Sequence, residues 1–118
     1  MPDNSNKILI IDDETDLCLL LKDYFVRKNY EVIISHTLTE GKDILDTLRP
    51  KILFLDNNLP DGVGWDLAPR IAADFPDTYI VLISAFHSTA PKMPVGSLFR
   101  VIEKPISMSE LNKQFSEL

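Results

Sequence analysis

The sequence is poor in cysteine, in glycine and in long apolar runs, and each shortage excludes a class of protein. A single cysteine, Cys18, excludes an internal disulfide framework and fits a reducing compartment. No glycine-rich nucleotide loop follows the first apolar run, Ile8–Ile11, which counts against dinucleotide binding. That run is too short to span a membrane, and no signal-peptide pattern precedes it. We therefore expect a cytoplasmic protein that has no contact with membranes.

Positive charge is also scarce. The chain has 12 Lys and Arg against 18 Asp and Glu, which gives a formal net charge of −6. An acidic surface argues against direct binding to nucleic acid and favours cations or basic partner surfaces. With 118 residues, of which 45% are hydrophobic, the chain is predicted to form one domain over 1–118 around a single core. The polar residues 1–6 are expected to form a disordered tail.

Five short apolar runs predict a parallel β-sheet. None of them alternates with polar residues, which is typical of strands that helices cover on both faces. The runs are Ile8–Ile11, Val32–Ile34, Ile52–Leu55, Ile80–Ile83 and Val101–Ile102.

Apolar side chains at helical spacing predict helices around Leu17–Phe25, Gly41–Leu48, Leu67–Ala72 and Leu111–Leu118. Thr37 with Glu40, and Ser107 with Glu110, have the spacing of capping boxes. Pro69 is compatible with the third helix only if that helix begins close to it. The alternation of strands and helices predicts a doubly wound five-stranded α/β fold.

One segment, residues 87–98, interrupts this alternation. Pro91, Pro94 and Gly96 fall within six positions, and proline and glycine both disfavour a helix interior. We therefore expect the fourth helix of the fold to be atypical or missing, and the chain to be irregular there.

Acidic, hydroxyl and ammonium side chains lie within three residues of the ends of the predicted strands, and in open α/β sheets ligands bind at that edge. They are Asp12, Asp13, Glu14, Asp56, Ser84 and Lys104. Crowded carboxylates repel one another unless a hard dication such as Mg²⁺ neutralises them. We predict Asp13 and Asp56 as direct ligands and Asp12 as a ligand through water. The main-chain carbonyl of Asn58 is predicted to complete the set.

Such a metal site leaves positions open for phosphoryl oxygens. Lys104 would supply a positive charge to one oxygen, and Ser84 would donate a hydrogen bond to another. A free carboxylate oxygen of Asp56 would act as the nucleophile and form an aspartyl phosphate.

These motifs resemble the receiver domain of response regulators in two-component signalling. The matching residues are Asp12-Asp13-Glu14, Asp56 followed by Leu59-Pro60-Asp61-Gly62-Val63-Gly64, Ser84-Ala85 and Lys104-Pro105. The resemblance covers essentially the whole chain and implies a flavodoxin-like receiver fold. It further implies a bacterial phosphoprotein that uses Mg²⁺ or Mn²⁺ and accepts a phosphoryl group on Asp56. The donor would be a histidine kinase, a histidine phosphotransfer domain or a small acyl phosphate.

The resemblance also implies that the domain assists its own phosphorylation and dephosphorylation without turning over an external substrate. Phosphorylation would switch the binding of a downstream protein. The sequence departs from the family at Val101, where an aromatic residue is usual, and the stretch from Ser84 to Lys104 is slightly short.

Two alternatives remain open. The domain could act as a receiver-like scaffold that binds a partner without phosphate. A metal-dependent phosphatase with an aspartyl intermediate fits less well, because such enzymes need an aspartate where this chain has Asn58. Among the other residues, Cys18 and Trp65 are interpreted as packing residues, and His36 and His87 as solvated loop residues.

Overall fold

A computed structural model describes residues 6–85 and 89–118. Within these residues, five parallel strands form the main sheet: β1 (Lys7–Ile11), β2 (Glu31–Ser35), β3 (Ile52–Asp56), β6 (Tyr79–Ser84) and β7 (Phe99–Glu103). Between β3 and β6, a small antiparallel hairpin contains β4 (Asn58–Leu59) and β5 (Gly62–Val63). The strand order of the main sheet is β2-β1-β3-β6-β7, so the predicted doubly wound sheet is confirmed.

Four α-helices cover this sheet in the described part of the chain: α1 (Thr15–Val26), α2 (Leu38–Leu48), α3 (Ala68–Asp74) and α4 (Met108–Phe115). A 3₁₀ turn over Gly64–Leu67 leads into α3. Pro69 lies in the first turn of α3, where its missing N–H is harmless, as predicted. None of the described helices combines the length and apolar character that crossing a bilayer requires.

The expected defect lies between β6 and β7. No helix forms over residues 89–98, so the prediction of an atypical or missing fourth helix is confirmed for these residues. Residues 86–88 lie outside the described part. Gly96 has a φ of 82°, a left-handed conformation that suits glycine. Ala90 and Met93 are still partly buried against the core layer that contains Ile80 and Leu82, and thereby replace part of the cover that a helix would provide.

The core has two layers because β1 and β3 are buried on both faces. Ile8 and Ile10 face α1 and α4, whereas Leu9 and Ile11 face α2 and α3. On the first face, the rings of three phenylalanines pack with centroid distances of 5.4 to 5.7 Å: Phe25, Phe54 and Phe115. Such aromatic pairs add about 0.5–1.5 kcal/mol each beyond the area they bury. This packing stabilises the central strands, whose carboxyl ends carry the predicted site residues.

The N-terminal residues 1–5, most of the predicted tail, lie outside the described residues. The remaining residue of that segment, Asn6, accepts a hydrogen bond on its carbonyl from the Glu31 N–H at 2.7 Å. This contact aligns the start of β1 with the start of β2.

The helix caps agree with the predicted boxes. The Thr37 hydroxyl accepts from the Glu40 N–H, and Ser107 accepts from the Glu110 N–H. The start of α2 has a further cap that the sequence did not predict. Asp61, in the β4–β5 turn, accepts from the N–H groups of Leu38 and Thr39 at 2.7 and 2.8 Å.

We expect Asp61→Asn to lower the urea midpoint of unfolding at pH 7. The N–H groups of Leu38 and Thr39, together with the Thr39 hydroxyl, lower the pKa of Asp61 to about 2. An acid with a lowered folded-state pKa stabilises the protein above its unfolded pKa and loses that effect as the pH falls. The difference in urea midpoint between wild type and Asp61→Asn should therefore have its largest value above about pH 3.8 and should decrease towards pH 2. Asp46→Asn, on the exposed side of α2, is the control. Equal midpoints at pH 7 would contradict the cap.

Candidate functional site

The acidic residues predicted from the sequence converge at the carboxyl edge of the sheet. Asp12 directly follows β1, and Asp56 is the last residue of β3, which pairs with β1 so that Ile11 lies beside Leu55. One carboxylate oxygen from each of Asp12, Asp13 and Asp56 lies within 4.8 Å of the other two. Parallel pairing of β1 and β3 thus brings together side chains that are more than 40 positions apart.

Two of these carboxylates are buried and held by backbone donors. Asp12 and Asp56 are 0% and 3% exposed, whereas Asp13 is exposed. The Asn57 N–H donates to Asp56 Oδ1 at 2.9 Å, and the Glu14 N–H donates to Asp12 Oδ1 at 2.8 Å. The other oxygen of Asp12, Oδ2, accepts no hydrogen bond of good geometry from the described residues. The site is therefore rich in negative charge and poor in donors.

Lys104 is the cation that faces this cluster. Its Nζ lies 3.3 Å from Asp12 Oδ2 and 3.6 Å from Asp56 Oδ2. It is closer still, at 3.1 Å, to Glu14 at the start of α1. The Lys104 N–H also donates to the Ser84 carbonyl at 2.7 Å, which ties the lysine to the end of β6. A single positive charge thus serves three carboxylates.

Burial has opposite consequences for the acids and the base. Burial and the nearby charge of Asp12 raise the pKa of Asp56 to about 6. Burial also raises the pKa of Asp12, although the Glu14 N–H and Lys104 oppose it. Burial acts to lower the pKa of Lys104. Hydrogen bonding to Glu14 and the surrounding carboxylate charges outweigh that effect and raise it.

These residues fit a divalent cation. Three carboxylates with oxygens within 4.8 Å of one another outnumber the lysine that faces them, and they offer the hard oxygen ligands that such ions take. Asn58, whose main-chain carbonyl is a predicted ligand, is the first residue of β4, two positions after Asp56. It therefore lies in the loop beside the cluster.

Ser84 lies at the same edge. It is the last residue of β6, and it is almost fully buried. The β3–β6 register places Asp56 beside Ile83, so Ser84 lies one step beyond the acid on the neighbouring strand. The structure therefore brings all the predicted site residues to one edge, while their individual roles remain predictions.

The loop after Asp56 is packed tightly against the sheet. Gly64 donates its N–H to the Asn57 carbonyl at 2.9 Å, and a Cβ at this position would overlap the carbonyl oxygen of Asp56. Trp65 is buried and donates its indole N–H to the Leu55 carbonyl at 3.2 Å. Packing is thus the role of this tryptophan, as interpreted from the sequence. Because the indole contacts Leu55, the residue that precedes Asp56, we expect the fluorescence of Trp65 to report on changes at the site.

Two contacts at this site were not predicted from the sequence. His36 is an exposed loop residue, as interpreted, and its Nδ1 also lies 3.0 Å from the main-chain carbonyl of Asp12. Glu14, one of the acids expected at this edge, pairs with Lys104. One signal was available in each case: His36 directly follows β2, and Glu14 directly follows Asp13, so both lie at the functional edge.

Comparison with known proteins agrees with this geometry. The family model described as the response regulator receiver domain matches residues 8–116. The chain is 29% identical to the response regulator protein PilR of Pseudomonas aeruginosa over 91% of its own length and 24% of that protein. It is 31% identical to the response regulator SaeR of Staphylococcus epidermidis over 88% of its own length and 46% of that protein. The chain thus spans less than half the length of these curated relatives.

Solved structures share the fold. A CheY-like receiver domain from Methanospirillum hungatei superposes with a TM-score of 0.79 at 24% identity, covering 96% of this chain and 92% of that one. A response regulator from Burkholderia pseudomallei, described with a phosphorylated aspartic acid, a calcium ion and citrate, gives 0.75 at 20% identity, covering 91% and 64%. At these identities the solved structures show only that the fold is shared, whereas the family-model match over residues 8–116 shows the family. Fold and sequence match agree, and the chain belongs to the response regulator receiver domain family.

Proposed function

We propose that this chain is a single phosphoacceptor domain over 1–118 that takes a phosphoryl group onto Asp56 in a magnesium-dependent reaction. The observation that carries the proposal is the position of Asp56. Its buried carboxylate lies within 4.8 Å of those of Asp12 and Asp13, and 3.6 Å from Lys104 Nζ. A carboxylate in that setting has both a charge to neutralise and an oxygen with which to attack.

In the proposed step, a carboxylate oxygen of Asp56 attacks the phosphorus of a phosphohistidine or of a small acyl phosphate. A new O–P bond forms as the bond to the donor breaks, and the leaving imidazole or carboxylate keeps the electron pair. Reversal of the modification is hydrolysis, in which water attacks the same phosphorus and releases inorganic phosphate. A pKa of about 6 leaves Asp56 ionised, and hence nucleophilic, at neutral pH.

The other residues act by charge and position. Mg²⁺ or Mn²⁺ would be held by Asp12, Asp13, Asp56 and the main-chain carbonyl of Asn58, and would neutralise developing phosphoryl charge. Lys104, which contacts Asp56 in the unmodified protein, would pair with a phosphoryl oxygen after transfer. Ser84 would donate a hydrogen bond to another. These residues serve the domain's own modification, so we propose no turnover of an external substrate.

The partners follow from the family and the charge. The donor is proposed to be a histidine kinase or a histidine phosphotransfer domain, and the recipient of the signal a downstream protein. A net charge of −6 argues against direct contact of this domain with nucleic acid or anionic membranes. We propose that the domain works in the cytoplasm, where such kinases hold their phosphoryl groups.

A second candidate is a scaffold that binds its partner without phosphate-dependent switching. It is favoured by one region, where residues 89–98 form no helix and Val101 is 38% exposed in place of an aromatic residue. The buried acidic cluster favours the phosphoacceptor, because a scaffold has no use for carboxylates whose ionisation burial opposes.

Intact mass separates these candidates. Incubation with a small acyl phosphate and Mg²⁺ should add one phosphoryl group to the protein, and a chelator should prevent the addition. A protein that gains no phosphoryl group from any small acyl phosphate, while it stays folded and binds Mg²⁺, would contradict the phosphoacceptor and leave the scaffold.

A further inference from the structure

The main-chain carbonyl of Asp12 accepts two hydrogen bonds from side chains. Cys18 Sγ, on α1, lies 3.3 Å from it, and His36 Nδ1, just beyond β2, lies 3.0 Å from it. A carbonyl oxygen only accepts, so Nδ1 of His36 must carry a proton and the cysteine must be a thiol.

The peptide group at Asp12 determines where its carboxylate points. The Asp12 N–H donates to the Ser35 carbonyl at 3.0 Å, which extends the β1–β2 pairing by one residue. The carbonyl of the same residue is where regular pairing ends, and its partners are the two side-chain donors. The carboxylate itself has one backbone donor, Glu14 N–H on Oδ1. Rotation of the residue would therefore move Oδ2, which lies 3.3 Å from Lys104 Nζ, and would change how the carboxylate faces the proposed cation.

We infer that His36 and Cys18 are positioning residues that fix the backbone of Asp12 and thereby aim its carboxylate at the bound cation. This inference rests on the proposed function, because it assigns the two residues to the cation site of the phosphoacceptor. Neither residue touches the reacting atoms. Groups that orient metal ligands from outside typically change metal affinity by about 10- to 100-fold when removed.

The competing explanation is that the two residues only pack and stabilise the fold. Substitutions of Cys18 and His36 test that explanation in different ways. Cys18 is buried among core side chains, so its removal also leaves a cavity. His36 is exposed, so its removal opens no cavity and should hardly change the stability of the protein. An effect of His36 on cation binding without an effect on unfolding is therefore the signature of positioning.

The chain offers a matched pair of variants at His36. The amide nitrogen of asparagine can take the place of Nδ1, so His36→Asn keeps a donor, whereas His36→Ala removes it. Mg²⁺ affinity is measured by Trp65 fluorescence, and urea unfolding is followed in the same samples. We expect His36→Ala to bind Mg²⁺ about tenfold more weakly, His36→Asn to stay within about twofold of wild type, and both to unfold near the wild-type midpoint.

At Cys18, Ser keeps a donor and Ala does not. Cys18→Ala should weaken Mg²⁺ binding more than Cys18→Ser does. Wild-type affinity in His36→Ala, or equal losses in His36→Ala and His36→Asn, would overturn the inference while leaving the phosphoacceptor intact, provided that wild type still gains its phosphoryl group. If wild type bound no Mg²⁺ at all, the proposed function would fail, and this inference with it.

Discussion

Asp56→Asn is expected to raise the free energy of unfolding of the metal-free protein by up to about 3 kcal/mol at pH 7.5, because burial and the charge of Asp12 oppose ionisation of Asp56. The pKa of Asp56 is about 6 in the folded protein, against an ordinary value of 3.8. An acid with a raised folded-state pKa imposes no penalty below its unfolded pKa and a full penalty above its folded pKa. The advantage of the variant should therefore grow as the pH rises from about 4 to about 6 and then level off.

Urea unfolding in the presence of a chelator, at pH 4 and at pH 7.5, measures this difference. Asp13→Asn is the matched control, because Asp13 belongs to the same cluster but is exposed, and should change the stability little. Saturating Mg²⁺ should reduce the difference in the free energy of unfolding between Asp56→Asn and wild type. Wild type keeps the predicted ligand Asp56, so it should bind the ion more tightly and be stabilised more. A variant that is no more stable than wild type at pH 7.5 would show that the buried carboxylate is not destabilising.

Mg²⁺ binding should separate the acids from the base. Asp13→Ala is expected to weaken Mg²⁺ affinity at least about tenfold, since loss of a ligand should have at least the effect of losing a group that orients one. Lys104→Met is expected to strengthen it, because Lys104 Nζ lies 3.3 and 3.6 Å from oxygens of Asp12 and Asp56 and competes with the ion for them. Methionine keeps much of the apolar stem, so packing is largely preserved.

Titration by Trp65 fluorescence provides the affinities, and circular dichroism verifies that each variant is folded. Glu14→Gln is the control for Lys104, because it removes the lysine's partner at 3.1 Å without touching the predicted ligands, and a small change in affinity is expected. If Lys104→Met lost Mg²⁺ affinity as severely as Asp13→Ala, the division of roles would be wrong.

Much of this architecture could be predicted from local sequence. The runs Ile8–Ile11 and Ile52–Leu55 are apolar throughout because both faces of β1 and β3 are covered, and this alone predicts central parallel strands. Once the strands are parallel, their carboxyl ends meet, so Asp12 and Asp56 had to come together. Prolines likewise predicted the irregular chain at 89–98, because a missing N–H is a local property.

Contacts that depend on side-chain reach across the fold could not be predicted. Asp61 caps α2 from the β4–β5 turn, 23 positions away, and nothing near Leu38 in the sequence announces it. His36 looked like an ordinary loop residue because its partner is the main-chain carbonyl of Asp12, just beyond another strand. The receiver motif includes Asp61 and Glu14, but a motif says which residues recur and not which atoms they contact.

One measurement tests most directly whether Asp56 is the phosphoryl acceptor. Wild type and Asp56→Asn are incubated with a small acyl phosphate and Mg²⁺, their intact masses are compared, and the modified peptide of wild type is identified after borohydride reduction of the acyl phosphate. We predict that wild type gains one phosphoryl group, that the reduced residue is Asp56, and that Asp56→Asn gains none, because an amide is a poor nucleophile. Equal gain in Asp56→Asn, or a reduced residue at Asp12 or Asp13, would contradict it.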